Sequence, residues 1–393
     1  MQRKSVIVAA KRTPVGAFQG HLSSISSPDL AAVAIKHILG ETRIQPDQID
    51  EIILGNVLTA GQGQAPARQA ALNSGCPNSV EALTINKMCG SGLKAVMLAD
   101  QAIRCGDADT VLAGGMESMS NAPYLLKNAR GGQRLGHGTM IDSMIHDGLW
   151  DVYSNKHMGT CAEMLAADRH YSREAQDAYA IESYRRAQAA KAKGVFKSEI
   201  VPVEVPQRKG NPVIIDEDEE PGKAQFDKIP NLHPVFEKEG TITAANASKL
   251  NDGAAALLIT SEDQAKELDL KPLAAIVAQA SAAHEPEWFT TAPGKAIGKV
   301  LETSGLSAGD IDLWEINEAF SAVAMAAMDD YKIAHEKVNV YGGAVALGHP
   351  IGASGARILT TLLNGMHRKN SKFGLATLCI GGGEASALIV EKI

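Results

Sequence analysis

Ser91-Gly92-Leu93-Lys94-Ala95-Val96-Met97-Leu98-Ala99-Asp100-Gln101-Ala102-Ile103, and then Thr110-Val111-Leu112-Ala113-Gly114-Gly115, has a counterpart 263 residues further on. There Ser354-Gly355 opens a second stretch with apolar residues at helical spacing, Ile358 to Met366, and Leu375-Ala376-Thr377-Leu378-Cys379-Ile380-Gly381-Gly382 forms a second strand ending in glycines. Upstream, at an offset of 262, Ile38-Leu39, Ile44, Ile49-Asp50, Ile52 and Leu54 fall on Val300-Leu301, Leu306, Ile311-Asp312, Trp314 and Ile316. Both segments read as helix, short loop, strand. The chain is therefore an internal duplication of an α/β unit, and two such halves are expected to pack back to back.

The duplication also exposes an insertion. The second half passes from Gly383 straight into a closing strand, Ala387-Leu388-Ile389-Val390, whereas its match in the first half, Ala254-Ala255-Ala256-Leu257-Leu258-Ile259, comes only after more than a hundred further residues. The expected organisation is a first half over 1–118, completed by 250–270, an inserted loop domain over 119–249, and a second half over 271–393. Within the insertion, Arg173 to Lys193 has the pattern of an amphipathic helix, and the acidic run Asp216 to Glu220 reads as a solvated loop.

Composition bounds the function. A chain of 393 residues with 45% hydrophobic content can build substantial cores. A net charge of -7 without massed lysine or arginine argues against a nucleic-acid surface. No apolar run reaches the length of a membrane span, the opening Val6-Ile7-Val8 reads as a first strand rather than a signal peptide, and the terminal Glu391-Lys392-Ile393 is no peroxisomal address. Five cysteines without a C-x-x-C pair disfavour a disulfide framework and a zinc site, so a reduced cytoplasmic setting is expected. Gly61-Gln62-Gly63 lacks the third glycine of a dinucleotide fingerprint, Pro66 standing in its place, and neither a Walker sequence nor H-E-x-x-H nor G-x-S-x-G occurs.

Four residues remain as candidates for chemistry. Cys89, in Lys87-Met88-Cys89-Gly90-Ser91-Gly92, stands where a strand enters a helix; the helix N-terminus favours a nucleophilic thiolate, against the alternative of a small buried hydrophobe. His349 lies in the glycine-rich run Gly342 to Gly352, beside the helix start that matches the Cys89 segment; the other histidines, His137, His146 and His284 among them, take the ordinary structural reading. Cys379 ends a strand ahead of Gly381-Gly382-Gly383, either as core packing or next to backbone N–H groups suited to an oxyanion. Asn317, in Trp314-Glu315-Ile316-Asn317-Glu318-Ala319-Phe320, either caps the next helix or offers its amide to a ligand at a strand's carboxyl end.

Taken in order, Met88-Cys89-Gly90-Ser91-Gly92, Asn317-Glu318-Ala319-Phe320, Gly348-His349-Pro350 and Cys379-Ile380-Gly381-Gly382-Gly383 resemble the thiolase family. Arg12-Thr13-Pro14, Pro66-Ala67-Arg68-Gln69, Gly114-Gly115-Met116-Glu117-Ser118-Met119-Ser120 and Asn246-Ala247-Ser248 extend the resemblance along the whole chain. The resemblance implies a five-layered αβαβα fold and a reversible Claisen condensation of two acetyl-CoA molecules to acetoacetyl-CoA and coenzyme A. In it Cys89 is the nucleophile that becomes acetylated, His349 accepts its proton, and Cys379 removes the α-proton of the second acetyl-CoA. Asn317 holds a water at the enolate oxygen, and the N–H groups of Cys89 and Gly381 receive the tetrahedral oxygen. Coenzyme A lies against the insertion near Ser248, His157 and Met158. No metal and no tightly bound cofactor is implied, the coenzyme A thioester being the substrate, and the assembly implied is a homotetramer, a dimer of dimers.

Two features depart from the short-chain pattern. Glu220-Pro221-Gly222-Lys223 lacks an arginine often present on the adenine side, and Trp288-Phe289 occupies a stretch that often carries methionine. A degradative 3-ketoacyl-CoA thiolase of broader chain length is the neighbouring reading, and a non-catalytic acyl-CoA carrier on the same scaffold is the competing one. A ketoacyl synthase, which pairs its cysteine with two histidines, fits less well than a chain with a cysteine at 379.

Overall fold

The computed structural model describes residues 3–393. Nine strands and eight helices carry the frame. The first half contributes β1 (Ser5–Arg12), α1 (Ser27–Thr42), β2 (Glu51–Gly55), α2 (Pro66–Asn73), β3 (Glu81–Ile85), α3 (Ser91–Cys105) and β4 (Thr110–Ser118). The insertion adds α4 (Met158–Asp168) and α5 (Arg173–Ala192), after which β5 (Asn251–Ser261) completes the half. The second half comprises β6 (Ala274–Ala283), α6 (Ala292–Ser304), β7 (Leu313–Ile316), α7 (Ser321–Tyr331), α8 (Ser354–Lys369), β8 (Phe373–Ile380) and β9 (Glu384–Lys392).

These strands join in one ten-stranded sheet of order β7-β8-β9-β6-β1-β5-β4-β2-β3, with the two-residue strand Gly16–Ala17 pairing with β5. The duplication is plain in that order, since β2-β4-β5-β1 is matched by β7-β8-β9-β6. The halves meet along a short seam, Val6 opposite Ala275 and Ile7 opposite Ala274. Where β2 pairs with β3 in the first half, the second half has a single bridge, Trp314 to Val338.

Strand periodicity sets the layers, because successive side chains face opposite sides of a sheet. In β5, Ala254, Ala256 and Leu258 pack with α1 and α2, while Ala255, Leu257 and Ile259 turn inward to α3 and α8. In β9, Leu388 and Val390 face that same central pair, and Ala385, Ala387 and Ile389 face α6 and α7. The result is the expected αβαβα stack. The two central helices approach so closely that a Cβ at Gly92 would lie 2.8 Å from the Ala356 nitrogen and one at Gly355 would lie 2.3 Å from the Leu93 nitrogen. Each glycine of the repeated Ser-Gly pair thus makes room for the other's helix.

Residues 119–249 add no strand to the large sheet. Helix α5, capped by Ser172 on the Ala175 N–H, packs Ala180, Tyr184 and Ala187 on Val345, Ala346 and Leu347 of the second half. Helix α4 packs Met158, Cys161 and Leu165 on Phe320, Val323 and Cys379. The insertion leaves from the first half and sends both helices onto the second, while Val203 and Val205 pack back on the first.

The acidic run in this insertion is solvated only at Asp216 and Glu217. Asp218 is buried and accepts from both terminal nitrogens of the equally buried Arg12, at 2.7 and 2.9 Å, while Arg12 Nε donates to Glu199 at 2.7 Å. Burial of a guanidinium requires such partners, and two carboxylates from the insertion supply them.

Candidate active site

Cys89 lies in the tight connection from β3 to α3. The preceding Met88 holds a left-handed backbone, φ 46°, that a non-glycine residue adopts only when its surroundings enforce it. Enforcement comes from the Met88 N–H, which donates to Asn86 Oδ1 at 2.9 Å, and from Ser91 Oγ, which accepts from the Lys87 N–H at 2.8 Å and donates to the Met88 carbonyl at 2.6 Å. The turn presents the thiol to a cavity of about 540 Å³.

That cavity brings together Cys89, His349, Gly381, Ser248, His157 and Met158, six of the eight residues expected at the site. Phe18, Met119, Met144, Phe236 and Phe289 give it an apolar wall, and Glu220 and Lys223 stand at its edge. Cys379 and Asn317 are buried and do not line it. Cys379 is fully buried and packs with Met158, Ala319 and Phe320, and Cys89 is close enough for its charge to oppose the ionisation of Cys379.

Helix position alone predicts a Cys89 thiolate, and the structure corrects this. Burial dominates and pushes the thiol up to about 11, against the backbone N–H groups of Gly381 and of Cys89 itself, which pull it down. The resting group is a thiol, so attack requires a base. Cys379, with burial as the main cause and Cys89 as the next, is held well above the ordinary thiol range. The Gly381 N–H is directed at the Cys89 sulfur, beside which the oxygen of a tetrahedral adduct would lie, rather than at Cys379.

His349 is placed through its backbone and through one ring nitrogen. Its backbone N–H donates to Asn251 Oδ1 at 2.8 Å, and Gly348 precedes it at φ 108°, where a Cβ would strike that same Asn251 side chain. The Ser354 hydroxyl donates its one proton to the Pro350 carbonyl at 2.9 Å, so its oxygen accepts from His349 Nδ1 at 2.6 Å. This assigns the ring proton to Nδ1 and leaves Nε2, buried and without a protein partner, as the free base.

Burial, with Arg357 adding to it, pulls His349 down to about 3. A group whose folded pKa lies below its unfolded value of about 6.5 binds fewer protons in the native state, so it removes stability as pH falls through that interval. The expected loss from His349 is about 2 kcal/mol by pH 5. Denaturant unfolding of the native chain and of His349→Gln at pH 7.5 and pH 5 checks this, because the stability difference between them should shift toward the variant in acid. An unchanged difference would mean that His349 is not held neutral by burial.

Asn317 is 1% exposed, and both polar atoms of its side chain lack a protein partner. It does not cap α7, whose N-terminus receives no side-chain hydrogen bond, so the capping alternative is set aside. The neighbouring Glu318 is purely internal, accepting from Tyr179, Ser183, Asn339 and the Val345 N–H. His157 has a defined tautomer too: its Nδ1 accepts from the Gly159 N–H at 3.0 Å, which leaves a donor at Nε2, and the ring stacks on Phe236.

Several supporting residues carried no signal of their role in the sequence, although Glu117 stands in a segment that carries the resemblance. Glu117, fully buried at the end of β4, accepts from the N–H groups of Val57, Leu58 and Gly352 and from Asn56, and burial raises it to about 7. Together Glu117 at Gly352 and Glu318 at Val345 pin both ends of the segment that bears His349. In the sequence Ser354 reads only as a helix start, and Asn251 stands in no motif.

With this geometry in place, the comparisons are direct. The thiolase N-terminal domain model matches residues 5–263 and the thiolase C-terminal domain model residues 270–392. An acetyl-CoA acetyltransferase of Allochromatium vinosum is 52% identical over 394 residues, covering 100% of both chains, and one of Cupriavidus necator is 53% identical over 388 residues, covering 98% of this chain and 99% of that one. A thiolase of Ascaris suum solved in complex with coenzyme A superposes with a TM-score of 0.95 at 45% identity, covering 100% of both chains. The acetyl-CoA acetyltransferase of Bacillus anthracis gives 0.97 at 40% identity, covering 100% of this chain and 99% of that one. Motif order, duplicated fold, cavity and full-length likeness agree, and the chain belongs to the thiolase family of acyltransferases.

Proposed function

We propose that the protein is an acetyl-CoA C-acetyltransferase that works through an acetyl-Cys89 intermediate. The observation that carries this reading is the convergence, on one cavity, of the Cys89 thiol, the Gly381 N–H directed at its sulfur, and the unpartnered Nε2 of His349. As Cys89 Sγ attacks the thioester carbonyl, its proton passes to His349 Nε2, and the oxyanion is received by the N–H groups of Cys89 and Gly381. The departing coenzyme A sulfur takes the proton of Cys379 and leaves as a thiol. Cys379 thiolate, a strong base because burial disfavours its charge, then removes the α-proton of a second acetyl-CoA. The enolate carbon bonds to the acetyl carbonyl carbon, the bond to Cys89 breaks, and Cys89 recovers its proton from His349.

Ser248, His157 and Met158 are proposed to line the pantetheine path, with His157 Nε2–H available to a carbonyl. No resident cofactor is needed for these steps. The domain limits 1–118 with 250–270, 119–249 and 271–393, a homotetrameric assembly and a cytoplasmic setting belong to the same proposal. Among the described residues no helix is long and apolar enough to cross a membrane. Mixing the protein with acetoacetyl-CoA and coenzyme A and following loss of substrate tests the activity, and the absence of turnover would favour a carrier.

Asn317→Ala is expected to fold as the native chain does and to turn over far more slowly, because the amide orders a water at the enolate oxygen. Removing a direct oxyanion donor costs roughly 3 to 4 kcal/mol, and a water-mediated contact somewhat less, so kcat should fall with little change in KM. Melting temperature and kcat measured on one preparation decide the matter. A destabilised but fully active variant would take Asn317 out of the catalytic set.

A further inference from the structure

Lys249 carries a charge where none of the proposed steps uses one. It directly follows Ser248 on the segment that runs along the cavity, and it is itself one of the lining residues. Its Nζ donates to the Ala247 carbonyl at 2.9 Å and to the Val345 carbonyl at 3.1 Å, and it stands 5.3 Å from the centre of the Tyr184 ring. Two carbonyls and an aromatic face on one ammonium form a cation site that the chain fills itself.

The two carbonyls belong to the two segments that must be held in register. Ala247 is bridged to Phe320, and the Ser248 N–H donates to the Ala319 carbonyl at 2.9 Å, which fixes the ligand-side segment on the second half. Val345 lies in the single helical turn Ala344–Leu347 that leads into Gly348 and His349, and its N–H is already given to Glu318. Lys249 laces these segments at one end, and Asn251, through the His349 N–H, laces them at the other. Glu220 and Glu318 are the carboxylates that act on the ammonium, while loss of hydration, the largest influence, lowers it to about 8. Near neutral pH it is therefore charged. Without it, two partly buried carbonyl oxygens would face each other with no donor between them.

We propose that Lys249 is a positioning residue whose ammonium is a built-in cation, holding the loop that carries His349 in register with the acyl-CoA segment. This rests on the acyltransferase reading above, although the cation site itself can be tested without any substrate. Misplacing a catalytic base by about an ångström costs on the order of 100-fold. Replacing Lys249 by Ala, which removes the charge and the donors and vacates room for a small ammonium, should therefore lower kcat by about 10- to 100-fold. KM should change less than kcat, because the defect lies in the base rather than in binding.

The test uses the full-length chain, native and Lys249→Ala, with and without methylammonium as a small primary ammonium that can enter from the cavity. Methylammonium is expected to raise the melting temperature of the variant more than that of the native chain, and to restore part of its kcat, where the same concentration of tetramethylammonium, which has no N–H donors, does neither. A variant that folds only with methylammonium supports the proposal equally. Native kcat and KM in the variant would overturn it, as would a loss of kcat that methylammonium leaves untouched in melting temperature and in rate, or a variant that fails to fold with it. If the native chain neither acetylates nor condenses, the acyltransferase reading fails, and the melting comparison alone then decides on the cation site.

Discussion

Cys89→Ala is expected to lose acetoacetyl-CoA cleavage altogether, by about 10⁴-fold or more, while remaining folded. Nothing else on the cavity wall can replace it. The turn that strains Met88 presents one side chain, and the two N–H groups that would receive the oxyanion belong to Cys89 itself and to Gly381 beside it. A general base alone does not rescue such a site, because His349 Nε2 would have no thiol from which to take a proton. Cys89 is only partly buried and alanine removes a single atom, so the stability cost should be near 1 kcal/mol. Steady-state thiolysis and a melting curve on one preparation check both halves of the expectation. Residual turnover within tenfold of the native rate would show that the acyl group is carried elsewhere.

The second large effect is that of Cys379→Ser, which should separate the two half-reactions. Serine fits the buried position in β8 closely, but its hydroxyl is a far weaker acid than a thiol and will not be present as the base. Loss of a positioned general base costs typically about 10²- to 10⁴-fold, and that loss should fall on condensation and cleavage. Acetyl transfer to Cys89 should persist at a reduced but measurable rate, because the coenzyme A thiolate is a good leaving group and can take from His349 the proton that Cys89 gave up. Rapid-quench measurement of acetyl-enzyme formation beside overall turnover distinguishes the steps, and equal loss in both would remove the special role of Cys379 in carbon–carbon bond chemistry.

The duplicated frame was legible because it is written in local pattern. Ser91-Gly92 and Ser354-Gly355 recur at one offset, helical spacing follows each, and the closing strand of the first half is displaced by an insertion of visible length. Those features need no knowledge of distant contacts. The reactive set was legible for a related reason: Cys89, His349, Cys379 and Asn317 each sit at a strand end or a glycine-rich turn, where backbone geometry is demanding and sequence choice is narrow.

What escaped depends on partners far along the chain. The run Asp216 to Glu220 looks solvated because its cation, Arg12, lies 206 residues from Asp218. Cys89 looks like a thiolate because its helix is local, whereas the apolar neighbours that hold its proton on, such as Ile351 and Met144, come from other segments. Glu117, Asn251 and Ser354 work only through the loop that carries His349, and Lys249 only through carbonyls of two separate segments. Charge and burial at a site are properties of the assembled fold, so residue type and spacing alone could not supply them.

The central claim is that acyl transfer passes through Cys89, and one measurement reaches it directly. Cys379→Ser mixed with acetyl-CoA, quenched in acid and mapped by peptide mass spectrometry, should carry a single added acetyl group, on the peptide containing Cys89, which free coenzyme A then removes. An acetyl group on another residue, or none on a folded protein that still cleaves acetoacetyl-CoA, would contradict the account.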